Sequence, residues 1–353
     1  MGQEFVSTSD TAVKRERRVT MREVANAAQV SVGTVSRVIN NKSSVNADIR
    51  RRVQEAMSEL GYVPDAVAQS MRAQSTMAVG CMVSDVSNPL FAAAVSAAER
   101  VLHAAGYTMM LTNSHDASER EREIISLFHR RRLDGLICTV RDESDAELLA
   151  RLQEPEMPCV LLERTVEAPI ESVATDHYRG ALQAFEYLIA LGHRRIGLIT
   201  VTAAATPGRD RLRAYADAHH AAGIAQDPAL VANVGFSAEY GYRTAYGQLT
   251  GQNPPTAIVA GAIQMMGVLK AVRVLGLEAP GDLSLVSIGD TDLAELFTPP
   301  LTVVRWEPHK VGATAAEILL SRLGGSTRSG TLKLLLPAEL VLRGSCGPPR
   351  PKG

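Results

Sequence analysis

Residues 19–64 constrain the chain most, because three helix-start and helix-stop signals follow one another there with almost no room between them. Thr20 and Glu23 form a T-x-x-E capping box, in which the hydroxyl takes one orphan N–H and the carboxylate reaches back to another. Met21, Val24, Ala25 and Ala28 then recur at helical spacing. Gln29-Val30-Ser31 is a short connector, and Ser31 suits the N-cap of a second helix whose inner side is Val35, Val38 and Ile39. Val32, Gly33, Ser36, Arg37 and Asn40 are left for the outer face of that helix. Asn46 opens a third helix with the stripe Ile49, Val53, Ala56, Met57 and Leu60. Gly61 takes the position of a helix C′ glycine, and Pro64 blocks continuation. The spacing predicts a helix-turn-helix with a third helix behind it over 19–64, and a hinge over 65–75.

The residues at 30–38 read Val-Ser-x-x-Thr-Val-Ser-Arg-Val. Arg-x-x-Val follows at 50–53, Leu-Gly-Tyr-x-Pro at 60–64 and Val-Ala-Gln-Ser at 67–70. This ordered set resembles the DNA-binding headpiece of the lactose-repressor (LacI/GalR) family of bacterial transcription regulators. The resemblance implies that the helix from Val32 lies in the major groove, with Val32 and Gly33 at base edges. Neither side chain donates a hydrogen bond; a valine can sit against a thymine methyl, and a glycine lets the helix come close. Gly33 costs the helix up to about 1 kcal/mol relative to alanine, which contact explains more easily than packing does. Arg37 is the candidate for a bidentate guanine contact. Thr20, Ser31, Thr34, Ser36, Asn40 and Tyr62 are candidates for phosphate positioning. Arg50–Arg52 also fit a plain solvated helix face.

Residues 65–72 alone are too short for a stable helix. The resemblance implies that they fold on operator DNA, pair with the dimer mate and push an apolar wedge into the minor groove, with Gln69 and Met71 as contacts. Met71 stands where the family usually has leucine. A plain linker is the alternative reading. Residues 1–18 are polar, end in Lys14-Arg15-Glu16-Arg17-Arg18 and show no periodicity, which predicts a disordered basic arm.

Charge divides along the same boundary. The chain has 353 residues and a net charge of −1, but residues 1–75 hold 11 Lys/Arg against 8 Asp/Glu, and the remainder 26 against 30. A mildly basic head on a mildly acidic body suits a small DNA-binding module. Cys81, Cys138, Cys159 and Cys346 show no metal-ligand spacing and read as reduced thiols. No signal-peptide core and no apolar run near the roughly 18 residues of a membrane span are present in the sequence, so a cytoplasmic protein without a membrane partner or cofactor is expected.

From Thr76 short apolar runs alternate with amphipathic stretches. Strands are expected at 77–83, 107–112, 135–139 and 159–162, with helices at 92–104, 119–131 and 145–153 between them. After a short strand at 172–175 a second alternation runs through helices at 177–190, 209–222, 238–249 and 265–275 and strands at 196–200, 257–260 and 285–288. This predicts an α/β core of two lobes, each a doubly wound parallel sheet, with a ligand cleft between them.

Asp85-Val86-Ser87-Asn88-Pro89-Leu90-Phe91, Asp176, Leu191-Gly192-His193-Arg194-Arg195-Ile196, Arg211-x-x-Ala-Tyr215, Pro255-Thr256-Ala257 and Pro299-Pro300-Leu301-Thr302 extend the resemblance to residues 19–343. It implies a core like periplasmic sugar-binding proteins. Lobe 1 would hold about 76–174 and 304–333, and lobe 2 about 175–303 and 334–344. Pro308–Leu323 would be a dimer-face helix and 345–353 a tail. The tail lacks the leucine heptads of a tetramerising coil, so a homodimer is expected.

In the family the cleft binds a sugar or other metabolite. The resemblance places Phe91, Glu163, Arg211, Gly289 and Asp290 at the effector. Ala262-Ile263 stands in place of an Asn-Asp pair, and Gly289 in place of an aspartate. Two missing polar grips argue against an ordinary neutral sugar, while Arg211, with Arg209 and Arg213 near it, suits a sugar acid, carboxylate or phosphate. The whole reads as a sequence-specific transcriptional repressor acting on a pseudo-palindromic operator under effector control. A solute-binding protein is the alternative, against which the capped headpiece argues. An enzyme is not expected, since no Gly-rich phosphate loop, nucleophile elbow or metal cluster occurs; His193 reads as structural.

Overall fold

The computed structural model describes residues 19–39, 45–62, 75–325 and 330–350. The chain divides into two units, 1–76 and 77–353.

In the first unit α1 (Met21–Ala27), α2 (Val32–Ile39) and α3 (Ala47–Glu59) close on a small core of Val24, Ala25, Ala28, Val35, Val38, Val53 and Ala56. The capping box forms as the sequence indicates: Thr20 N donates to Glu23 Oε2 at 2.7 Å, and Glu23 N to Thr20 Oγ1 at 3.4 Å. Asn46 caps α3 through the Asp48 N–H at 2.8 Å. The turn after α1 uses Gln29 in the left-handed region, at φ 52°. Arg52 holds that turn, donating to the carbonyls of Ala28 at 2.6 Å and Gln29 at 3.3 Å. Arg52 is therefore a structural side chain, while Arg51 pairs with Asp48 and Glu55 on the solvated face.

The second unit holds two six-stranded sheets. Strands β1 (Ala78–Val83), β2 (Thr108–Asn113), β3 (Gly135–Cys138), β4 (Cys159–Leu162) and β5 (Glu171–Thr175) alternate with α4 (Pro89–Ala104), α5 (Ser118–Arg130) and α6 (Ala146–Leu152). The second lobe follows with α7 (His177–Ala190), β6 (Ile196–Ile199), α8 (Thr206–Ala221), β7 (Val231–Ala232), α9 (Ala238–Leu249), β8 (Ala257–Gly261), α10 (Ala262–Val274), β9 (Ser284–Ile288), α11 (Asp292–Leu296) and β10 (Thr302–Arg305). The chain closes with α12 (Pro308–Leu323), β11 (Lys333–Leu336) and β12 (Glu339–Val341). Sheet order is β11-β5-β4-β3-β1-β2 in the first lobe and β12-β10-β9-β8-β6-β7 in the second. All pairings are parallel except β10 with β12. Central strands such as β3, β4 and β8 are buried along their whole length, because helices cover both faces of a parallel sheet.

Three helices begin earlier than periodicity suggests: α4 at Pro89, α8 at Thr206 and α10 at Ala262. In α10, residues 264, 265, 267, 268, 269, 271 and 272 are all buried, so no polar stripe marks the helix. The last return between lobes also differs. β11 pairs with β5 in the first lobe, so the chain re-enters the second lobe between Leu336 and Glu339 rather than after residue 333. Residues 345–347 are not a loose tail. Ser345 Oγ accepts from Thr302 N at 2.8 Å and donates to the Leu285 carbonyl at 2.7 Å. His193 is buried between Thr256, Ser284 and the Gly347 carbonyl, 2.8–3.0 Å away, a fastening role.

Candidate nucleic-acid interface and effector cleft

The outer face of α2 is built by default. Val35 and Val38 fill the headpiece core, so Val32, Gly33, Ser36 and Arg37 must turn outward. Val32 is 42% exposed on that face. A Cβ added to Gly33 would meet only Ser31 Oγ at 3.7 Å, an ordinary contact, and its φ is not positive. Nothing within the headpiece demands glycine there. Arg37 is exposed, and Thr34 and Ser36 are half-buried beside it. Ser31 caps the helix through the Thr34 N–H at 3.1 Å and shares a hydroxyl contact with Thr34 at 2.9 Å. Thr20 spends its hydroxyl on the capping box. Tyr62 packs on the headpiece core. The candidates Asn40, Gln69 and Met71, the hinge and the basic arm lie outside the described residues.

The second unit has a cleft between its lobes, lined by Phe91, Glu163 and Arg211 as the sequence indicates. The first turns of α4, α8 and α10 all face it, which is where ligands bind in α/β sheets and where helix dipoles favour negative charge. Arg211 is 6% exposed. Its Nη1 donates to Thr200 Oγ1 at 3.3 Å, but its buried Nε has no partner. Burial lowers the guanidinium to about 10, partly offset by the charge of Glu163. It remains a cation at neutral pH with an unmet donor.

Glu163 is already engaged. Its carboxylate accepts from Thr175 N at 3.0 Å and Thr175 Oγ1 at 2.8 Å, and lies 2.7 Å from His177 Nε2. Burial pushes this acid up, but His177 and the Thr175 hydrogen bonds outweigh it and hold it below its usual value. His177 also meets the Trp306 ring edge-on at 5.4 Å. Phe91 faces Phe236 across the cleft at 6.2 Å between ring centres.

Sequence reasoning missed Arg164, which is buried and lines the cleft. Its guanidinium is tethered to the carbonyls of Val140 and Glu163. Strict alternation would point neighbours 163 and 164 to opposite sides. Glu163 instead takes φ 53°, which breaks the alternation and brings both side chains to the cleft. Arg209 and Arg213, named as companions of Arg211, are not in the lining: Arg209 pairs with Glu143, and Arg213 pairs with Asp210 and lies over Tyr178. Asp290 is also not a lining residue, because Arg343 holds it in a bidentate pair at 2.8–2.9 Å. Gly289 does not line the cleft either; its neighbour Ile288 does. At φ 119° it fits where a Cβ would sit 2.6 Å from Leu90 Cδ1 and 2.9 Å from Ala262 Cβ, so the aspartate it replaces would be crowded here.

Comparison with known proteins now decides the family. Residues 20–65 match the model of bacterial regulatory proteins of the lacI family, and residues 185–346 match a periplasmic binding protein-like domain. The repressor PurR of Edwardsiella ictaluri is 32% identical over 330 residues, covering 92% of this chain and 96% of that protein. The chain belongs to the lacI family of bacterial regulatory proteins. It is a DNA-binding transcriptional regulator. DegA of Bacillus subtilis, also a helix-turn-helix transcriptional regulator, is 30% identical over 94% of this chain and 99% of its own length. The lac repressor dimer bound to operator and the anti-inducer ONPF superposes with TM-score 0.81 at 28% identity, covering 93% of this chain and 99% of that one. The regulator CelR in complex with cellobiose gives TM-score 0.69 at 29% identity. In this chain the outer face of α2 carries Val32 and Gly33, and the cleft is lined by two buried arginines, Arg164 and Arg211.

Proposed function

We propose that this regulator is a cytoplasmic repressor that binds a pseudo-palindromic operator as a homodimer and is controlled by an anionic metabolite in its cleft. The observation that carries the DNA half is the outward face of α2, where an exposed valine, a glycine free of packing duty and an exposed arginine stand side by side. Arg37 reads guanine, Val32 rests on a thymine methyl and Gly33 permits the approach. One headpiece covers too little DNA for tight specific binding, and the similarity to a dimeric repressor on its operator supports two.

The unmet Nε of buried Arg211 carries the effector half. A carboxylate or phosphate oxygen completes that donor and neutralises the charge that burial disfavours. Ala262 and Ile263 remove two polar grips that a neutral sugar would use, while Phe91, Phe236 and Trp306 supply an apolar wall. Thermal-shift titration with sugars, sugar acids, organic acids and phosphorylated sugars tests this. Acids are expected to raise the melting temperature most; a neutral sugar doing so would overturn the anion reading.

A further inference from the structure

We infer that Glu143 is a positioning residue that clasps the two lobes together and thereby sets Arg211 for the effector. Glu143 belongs to the loop after β3 in the first lobe, and its side chain is only 5% exposed. Apart from Arg164, 3.9 Å away, its partners lie in the second lobe. Oε1 accepts from Thr206 N and Thr206 Oγ1, each at 2.6 Å, and Oε2 accepts from Arg209 Nη2 at 2.7 Å. The Glu143 N–H donates to the Ala204 carbonyl at 3.0 Å. Thr165, also from the first lobe, meets the same Thr206 hydroxyl through its N–H at 2.9 Å and its own hydroxyl at 2.8 Å.

The helix on the receiving end explains the arrangement. α8 begins at Thr206 behind Ala205, whose side chain cannot cap it. A helix start leaves N–H donors without partners and carries partial positive charge. Here the missing acceptor arrives from the other lobe as a full carboxylate. Arg211 lies five residues along the same helix, less than two turns from the clasp. A short rigid helix held at its first residue holds Arg211 in the cleft. Separation of the lobes breaks these contacts together, and every group released can return to water, so the clasp biases lobe position rather than the fold of either lobe. An effector drawn in by Arg211 and the Glu143 clasp therefore favour the same closed state, and each strengthens the other. The consequence rests on the proposed role of Arg211; the clasp itself does not.

Hydrogen–deuterium exchange on the full chain tests the clasp without any ligand. In Glu143→Ala the Thr206, Gly208 and Arg209 amides should exchange about tenfold faster than in the parent, reflecting loss of a charge-assisted hydrogen bond. Glu143→Gln keeps an acceptor for Thr206 but not the ion pair, and should fall between the two. Strands Gly135–Cys138 and Ile196–Ile199 should exchange as before. Spin labels at exposed positions 123 and 222, one per lobe, should report a longer distance in Glu143→Ala by pulsed electron resonance. Unchanged exchange at Thr206, Gly208 and Arg209, or an increase spread through the first lobe with the distance unaltered, would overturn the proposal. If the clasp passes and acids fail to stabilise the protein, only the effector class falls.

Discussion

The headpiece and the cleft solve the problem of polar side chains in opposite ways. In residues 19–62 nearly every named hydrogen bond is made within a few residues: Thr20 with Glu23, Ser31 with Thr34, Asn46 with Asp48. The scaffold satisfies itself, and Val32, Gly33 and Arg37 of α2 are left exposed, the face proposed to read DNA. In and around the cleft the polar groups are buried and satisfied across longer sequence distances, as Glu163 is in the lining by Thr175 and His177, and Glu143 outside it by Thr206 and Arg209. There the leftover is an internal one, the Nε of Arg211. The proposed partners differ accordingly: a macromolecule for the exposed face of α2, a small anion for the donor inside the cleft.

The largest test of this contrast is Arg211→Met. Removing a buried cation with an unmet donor should raise the melting temperature of the ligand-free protein, by the equivalent of roughly 1–3 kcal/mol. It should also abolish stabilisation by acids, both read in one calorimetric series. A destabilised variant would mean that Arg211 is fully paired by the protein and not reserved for a ligand.

A second test uses Glu121, buried in the first lobe with Oε2 lacking a partner. Burial raises this acid from 4.5 to about 7, with Arg141 and Ser114 opposing. A raised acid favours the protonated form in the folded state. Its contribution is therefore complete below about 4.5 and lost as pH rises through about 7. Urea titrations of the parent should show stability falling across that window relative to Glu121→Gln, whose profile should be flatter. Parallel profiles would remove Glu121 as the source.

The smallest effect belongs to the headpiece. Gly33→Ala should stabilise α2 by about 1 kcal/mol, since the added methyl finds only ordinary contact. The same change should weaken operator binding. Stabilisation without any loss of binding would show that Gly33 is not at a base edge.

These two regions also differ in how far the sequence exposes them. Capping boxes, apolar stripes and stop residues act over three or four positions, so α1, α2 and α3 are legible to within a residue or two. The βα alternation is equally local and gives β1–β6, β8 and β9, while β7, β10, β11 and β12, which lie outside that alternation or are very short, are not legible in it. What stays hidden is non-local. Arg164 reaches the cleft beside a left-handed Glu163 that no pattern announces. Asp290 reads as an effector ligand until Arg343, 53 residues away, is seen to hold it. α8 loses its periodicity at the start because Thr206, Pro207 and Gly208 are all buried, and α10 because most of its residues from 264 to 272 are buried. Residues 345–347 look like a tail by composition, yet Ser345 is completely buried under β9 and β10.

The claim at the centre is that the exposed face of α2 reads sequence, and Arg37 offers the most direct measurement. The full chain and Arg37→Ala would be titrated by fluorescence anisotropy against a selected operator and a scrambled duplex at one fixed salt concentration. A loss of about 1–3 kcal/mol on the operator, with little change on scrambled DNA, is the predicted result. Equal losses on both duplexes would make Arg37 a phosphate contact and contradict the assignment of the reading face.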